Sequence, residues 1–183
     1  GIIGYVAFRG LGSISWEFLS SVTSELNGTF GIIGNIVNTL YIIVISLIIA
    51  TPIGIGAAVY LTEYAKAGKV VRIIEFTTET LAGIPSIIYG LFGMAFFGIT
   101  LKLKTSILCG CLTLTIMVLP LIIRTTQESL KTVPLGYRTG ALGIGATKWY
   151  MIRTIILPSA LPGIVTAVIL SVGRIVGESA ALL

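Results

Sequence analysis

Charged side chains are scarce in this 183-residue sequence, so any that falls in an apolar run is a candidate for chemistry. Arg174 and Glu178 stand four positions apart, on one face if the segment is helical. A guanidinium is a planar fork that matches carboxylates and oxyanions bidentately. The pair suits either a structural ion pair between helices or a group that meets an anion, and spacing leaves both open. Arg124 follows the apolar stretch 120–123, where it suits a snorkelling anchor better than a gate contact. Glu75 and Glu79 share a face, and either could partner Arg124. Other chemistry has little to work with. The sequence has no His, and Cys109 and Cys111 lie in an apolar run without acidic neighbours. They are expected to be small packing residues, with no metal bound. No residues with the types of a nucleophile, base and orienting group come together, so no catalytic residue is assigned.

The elements that must position these residues belong to a bilayer. Hydrophobic residues make up 55% of the chain and charged residues 10%, against about 25% charged in soluble domains. Mean hydropathy is +1.05. The net charge of +5 comes from Lys and Arg in the gaps between apolar runs, which does not suit a nucleic-acid partner. A spanning helix needs about 20 mostly apolar residues. Four uncharged runs qualify: 26–62 with its apolar heart at 36–61, then 80–101, 105–123 and 154–173. Residues 1–8 read as the tail of a fifth helix. The expected fold is an all-α, polytopic transmembrane helical bundle, a single domain over 1–183.

Loops 63–75 and 124–153 hold Lys66, Lys69, Arg72, Arg124, Lys131, Arg138, Lys148 and Arg153, and the alternate segments only Arg9, Lys102, Lys104 and Arg174. Positive-inside bias puts the two basic loops in the cytoplasm. Segment 11–35, with Glu17 and Glu25 and no Lys or Arg, suits an outer loop. Gly1 is not an initiator Met and the chain stops in an apolar stretch, so both ends are expected to be cut. No basic region precedes the first apolar residues, as a signal peptide would require. Pro52, Pro85, Pro120, Pro158 and Pro162 fall within spans, where a bilayer tolerates them as kinks. Starting the last helix at Ile155 brings Arg174 near the outer surface. Starting it at Pro162 puts Arg174 about 18 Å along, just past the midplane. Pro162 at a first helical position favours the second, a 22-residue span over 162–183 that embeds the pair.

The longest basic loop is too apolar for a solvated linker. Pro134 can open a helix, and Tyr137, Ala141, Leu142, Ile144, Trp149, Tyr150 and Ile152 follow among four glycines. Such a segment must pack on something: its own bundle, the lipid surface or a partner. Thr139-Gly140-Ala141, then Gly145, then nine residues to Ile155-Ile156-Leu157-Pro158 resemble the EAA motif of ABC-importer permeases. Thr139 stands where that motif has Glu, and Gly140 where it has Ala. The stretches 81–93, 119–126, 142–149, 157–163 and 173–179 are similar to the phosphate-specific branch of the family.

That resemblance implies a MetI-like permease core, with about five spans of an expected six and coupling loop 127–153. It implies a bacterial inner-membrane subunit of a phosphate importer, of the binding-protein-dependent kind. Its expected partners are an ABC ATPase dimer, a homologous second permease, an extracytoplasmic phosphate-binding protein and the lipid bilayer. No G-x-x-x-x-G-K-[ST] loop occurs, so the chain is not expected to be an enzyme and carries no cofactor itself. ATP and Mg²⁺ would be bound by the partner ATPase. Expected docking residues are Thr139, Gly140, Ala141, Leu142, Gly145, Ala146, Trp149 and Tyr150, with the aromatic pair as anchors. Arg174, Glu178 and Ser179 are expected to line the substrate path, Arg174 meeting the anion while Glu178 orients it in the empty state. Permeases for molybdate, sulfate or phosphonate are the nearest alternatives. A passive channel or a secondary transporter is more distant, since neither a filter element nor an inverted repeat is visible.

Overall fold

The computed structural model describes residues 1–10, 18, 21–24, 29–66 and 68–178. Contacts divide them into two compact units, Gly1–Ile42 and Ile43–Leu183. The first unit holds helix α1 (Ile2–Gly10) and strands β1 (Val22–Ser24) and β2 (Thr29–Ile32). The strands pair antiparallel with Val22 opposite Ile32 and Ser24 opposite Thr29. This hairpin is an addition to the expected outer loop. It is the one sheet among the described residues of an otherwise helical chain.

Uncharged Ile, Leu, Val and Ala runs become helices because a helix satisfies its own backbone groups where water cannot. Helix α2 (Ile33–Val59) begins in the first unit and continues through the second. It ends in a π-helical turn, Tyr60–Tyr64, and a break at Ala65. Helix α3 (Lys69–Ala82) is followed by α4 (Ser86–Gly93) and a π-helical segment, Met94–Thr100. Helix α5 is Ile107–Thr132. Two short helices, α6 (Leu135–Gly143) and α7 (Lys148–Met151), lead through a π-helical turn, Ile152–Ile156, into α8 (Leu157–Gly177). Among the described residues three helices are long and apolar enough to cross a membrane: 33–64, 107–132 and 148–177. The α3–α4 pair makes a fourth if counted as one bent span.

Two expectations change. The run 80–101 is not one straight span, since α3 and α4 meet at 100° across Gly83-Ile84-Pro85. Pro85 has no N–H to continue the α3 ladder and biases Ile84 away from helix, so the chain turns there. The last helix does not start at Pro162. It runs unbroken from Lys148 to Gly177, about 45 Å at 1.5 Å per residue. The wide turn at Ile152–Ile156 immediately precedes Pro158 and accommodates its ring and missing N–H. Residues 179–183, the tail of the expected 22-residue span, lie outside the described residues.

In the second unit α5 packs chiefly on α8, and on α3 and α4. Small residues permit the approach: a Cβ on Gly54 would lie 2.6 Å from Ile122 Cγ2, and one on Gly163 would run into Ser129. Ser129 Oγ donates to Ala160 O at 2.9 Å across the same contact. Leu130, Met151, Ile152 and Ile156 are fully buried and join the end of α5 to the start of α8. Large apolar side chains such as Ile48, Ile53, Ile99 and Ile169 are exposed, as lipid-facing helix surfaces require.

Candidate docking segment and substrate-path residues

The segment 134–151 is held from behind and apolar in front. Pro134 is the N-cap of α6 rather than its first residue, and Leu135 opens the helix. At the other end Gly145 has φ +84°. Its N–H bonds Leu142 O at 3.0 Å, and the Ala146 N–H bonds Ala141 O at 3.1 Å. These two bonds make a Schellman motif with Gly145 at the left-handed position. Thr147 then caps α7, its Oγ1 accepting from the Tyr150 N–H at 3.3 Å. One helix is thus stopped and the next started within four residues.

The burial pattern sorts the expected docking residues. Thr139, Gly140, Leu142, Gly145, Trp149 and Tyr150 are exposed, and Ala146 is half-buried. Ala141 is 5% exposed and belongs to the buried cluster with Leu130 and Met151. It fixes α6 to the body of the protein and does not face outward. Leu135, Tyr137 and Ile144 join the exposed apolar set instead. Such a cluster on a capped, core-anchored segment offers aromatic anchors to a partner groove.

Arg138 is the residue that sequence reasoning undervalued, as one more loop cation. Its Nε and Nη2 donate to Glu63 Oε1 at 3.1 and 2.8 Å, Nη1 to Val133 O at 2.7 Å, and Nη2 also to Leu130 O at 2.8 Å. The Glu63 side chain is 5% exposed and that of Arg138 17%. Nearby, Lys148 Nζ lies 5.0 Å from the ring centroid of Tyr64. Seventy-five residues separate Arg138 from Glu63, and no local spacing signals the pair.

A second polar cluster lies between α3 and α5. Arg124 Nη1 pairs with Glu79 at 2.8 Å and its Nε with Glu128 at 3.5 Å, while Lys131 pairs with Glu75 at 3.6 Å. Gln127 Nε2 donates to Glu75 Oε1 at 3.2 Å. Of the two carboxylates that could partner Arg124, Glu79 does so and Glu75 pairs with Lys131 instead. These residues and Thr78 line one groove. Helix α3 turns Glu75 and Thr78 inward while Val70, Ile73 and Phe76 are exposed, the reverse of a helix on a water-soluble domain.

Arg174 stands in the last turn of α8, where a cation suits the negative end of the helix dipole. The expected shared helix face does not form. Glu178 is the C-cap, with extended backbone at φ −88° and ψ 112°. Ser179 lies outside the described residues. In the α3–α4 turn the buried Tyr89 hydroxyl donates to Leu81 O at 2.8 Å. Leu81 is in the last turn of α3, so Tyr89 bridges the break at Gly83-Ile84-Pro85. Along the continuous helix 148–177 Arg174 is about 39 Å from Lys148, so the two candidate sites occupy opposite ends of one helical rod.

These features define a class: a multi-pass membrane protein whose spanning helices run into an exposed apolar segment. Its fold is that of inward-facing structures of the MetNI methionine ABC transporter. One aligns over 98% of this chain and 74% of that chain, with TM-score 0.65 and 22% identity. Another covers 80% and 68%, with TM-score 0.64 and 24% identity. Residues 50–183 match the model for the binding-protein-dependent transport system inner membrane component, and the chain belongs to that family. It is 34% identical over 183 residues to the probable ABC transporter permease protein YqgI of Bacillus subtilis, covering 100% of this chain and 62% of that one. It is 35% identical to the phosphate transport system permease protein PstA of Pasteurella multocida, over 96% and 62%. The PstA homolog of Mycoplasma pneumoniae is 42% identical over 79% of this chain and 23% of its own length. The chain therefore spans less than two thirds of these relatives.

Proposed function

We propose that this chain is part of the membrane-spanning permease subunit of an ATP-driven phosphate importer in a bacterial plasma membrane. The observation that carries the reading is the capped segment 135–151, anchored through Ala141 and Met151 and exposing Leu142, Trp149 and Tyr150. In this reading the segment docks on a separate ATPase subunit, and loops 63–75 and 124–153 face the cytoplasm. Rigid-body movement of the docked segment passes directly into α8, which continues from it. A homologous second permease would complete the path, and an extracytoplasmic binding protein would deliver the solute.

Phosphate is supported by the names of relatives such as the PstA proteins of Pasteurella multocida and Mycoplasma pneumoniae. It agrees with the Arg174 guanidinium at the end of α8 remote from the docking segment. Arg174 would meet the anion there, with Glu178 and Ser179, which follow it in sequence, as further path residues and Tyr89 fixing the helix break at Gly83-Ile84-Pro85. The test is uptake of labelled phosphate by right-side-out, ATP-loaded vesicles carrying the full-length protein and its partners, with competing molybdate, sulfate and phosphonate. ATP-dependent phosphate accumulation that the other anions fail to compete away is expected. Preferred accumulation of another oxyanion would move the chain to that substrate. In the same assay Arg174→Lys keeps the charge and loses the fork, and uptake should fall about tenfold or more, the equivalent of one lost charge-assisted hydrogen bond. Wild-type uptake by Arg174→Lys would remove the bidentate role.

A further inference from the structure

The docking segment has a second mechanical connection besides its covalent continuation into α8. Two of its cations reach the same five-residue π-helical turn at the end of α2, Tyr60–Tyr64. Arg138, from α6, holds Glu63 through two nitrogens. Lys148, from α7, sits over the ring of Tyr64. The remaining Arg138 donors go to Val133 O and Leu130 O at the C-terminal end of α5, where Leu130 O also accepts the Val133 N–H at 3.4 Å. One guanidinium therefore joins the ends of α2, α5 and α6. Its carboxylate partner is almost wholly buried, so the bond is shielded from competing water and salt. π-Helical turns inside long helices frequently mark functional sites.

We propose that Arg138 and Lys148 tie the docking segment to the Tyr60–Tyr64 turn, so that the segment and α2 move as one body. The drive from a docked ATPase then enters the membrane through α2 as well as α8. Arg138 and Lys148 act as positioning residues, since neither needs to touch solute or nucleotide. The geometry also explains why an Arg is used. A Lys offers three donors from one point and cannot reach Glu63, Val133 and Leu130 together in this fork.

This inference rests on the docking reading, and the test separates the two. The full-length protein is assembled with its ATPase and second permease in proteoliposomes, and solute moved per ATP hydrolysed is measured at equal amounts of complex. Arg138→Lys and Glu63→Gln should each lower that ratio about fivefold or more, the low end of ordinary coupling between sites. In a background without Cys109 and Cys111, Glu63→Cys with Arg138→Cys should be equally uncoupled. Closing that pair with a short bifunctional thiol reagent should restore the ratio toward the parent, because a rigid tie is all that the pair supplies. A merely stabilising role would not respond in this way. Single variants with the parent ratio would overturn the proposal, as would a cross-link that abolishes transport still shown by the open double-cysteine variant. A parent complex whose hydrolysis does not respond to solute would overturn the docking reading and this proposal with it.

Discussion

At Gly145 the backbone turns through φ +84°, and a Cβ built there meets nothing within 4 Å. Conformation rather than space within the chain selects the residue. A left-handed conformation costs an L-residue roughly 1–2 kcal/mol, least for Asn and most for β-branched side chains. Solute-stimulated ATP hydrolysis by the reconstituted complex should therefore fall in the order Gly145, Asn, Ala, Val. If side-chain bulk against the ATPase governs instead, Ala would outperform Asn. Glycine spacing made Gly145 legible in the sequence, but its reason was not. The Schellman bonds to Ala141 and Leu142 depend on three-dimensional closure. The same holds for Ala141, whose triplet position suggested a contact and whose burial makes it an anchor. Arg138 was hidden for a related reason: its partner is distant in sequence and its chemistry ordinary.

Among the elements, the long apolar runs announced α2, α5 and α8, because burial in lipid demands uninterrupted helix. The first charge after an apolar run does not mark the helix end. Helix α5 continues past Arg124 to Thr132, its final turns carrying Glu128 and Lys131. The 100° break before α4 had a local cause in Pro85, but its angle depends on how α3 and α4 pack against α5. Packing of α5 on α8 depends on Gly163 lying against Ser129. Gly163→Val should overpack this contact and cost about 1–3 kcal/mol. The expected readout is a lower thermal midpoint for the detergent-solubilised protein. Gly56→Ala, in open space on α2, is the control and should leave the midpoint unchanged or raised. Equal midpoints for parent and Gly163→Val would contradict the packing.

For the molecule as a whole, two candidate sites lie at opposite ends of the continuous helix 148–177, about 39 Å apart. Coupling over that distance needs stiff elements with two discrete arrangements. One continuous helix, with a buried ion pair beside its start, supplies stiffness. The segment that would receive the drive presents Leu142, Trp149 and Tyr150 on its open face, where aromatic side chains dominate binding energy. The most direct measurement of that claim is the affinity of the purified ATPase for the full-length protein in nanodiscs, with Trp149→Ala and Tyr150→Ala beside the parent. Each truncation should weaken binding by about 1–2 kcal/mol, roughly tenfold, and reduce solute-stimulated hydrolysis in step. Parent-like affinity and hydrolysis in the double variant would contradict docking through this segment.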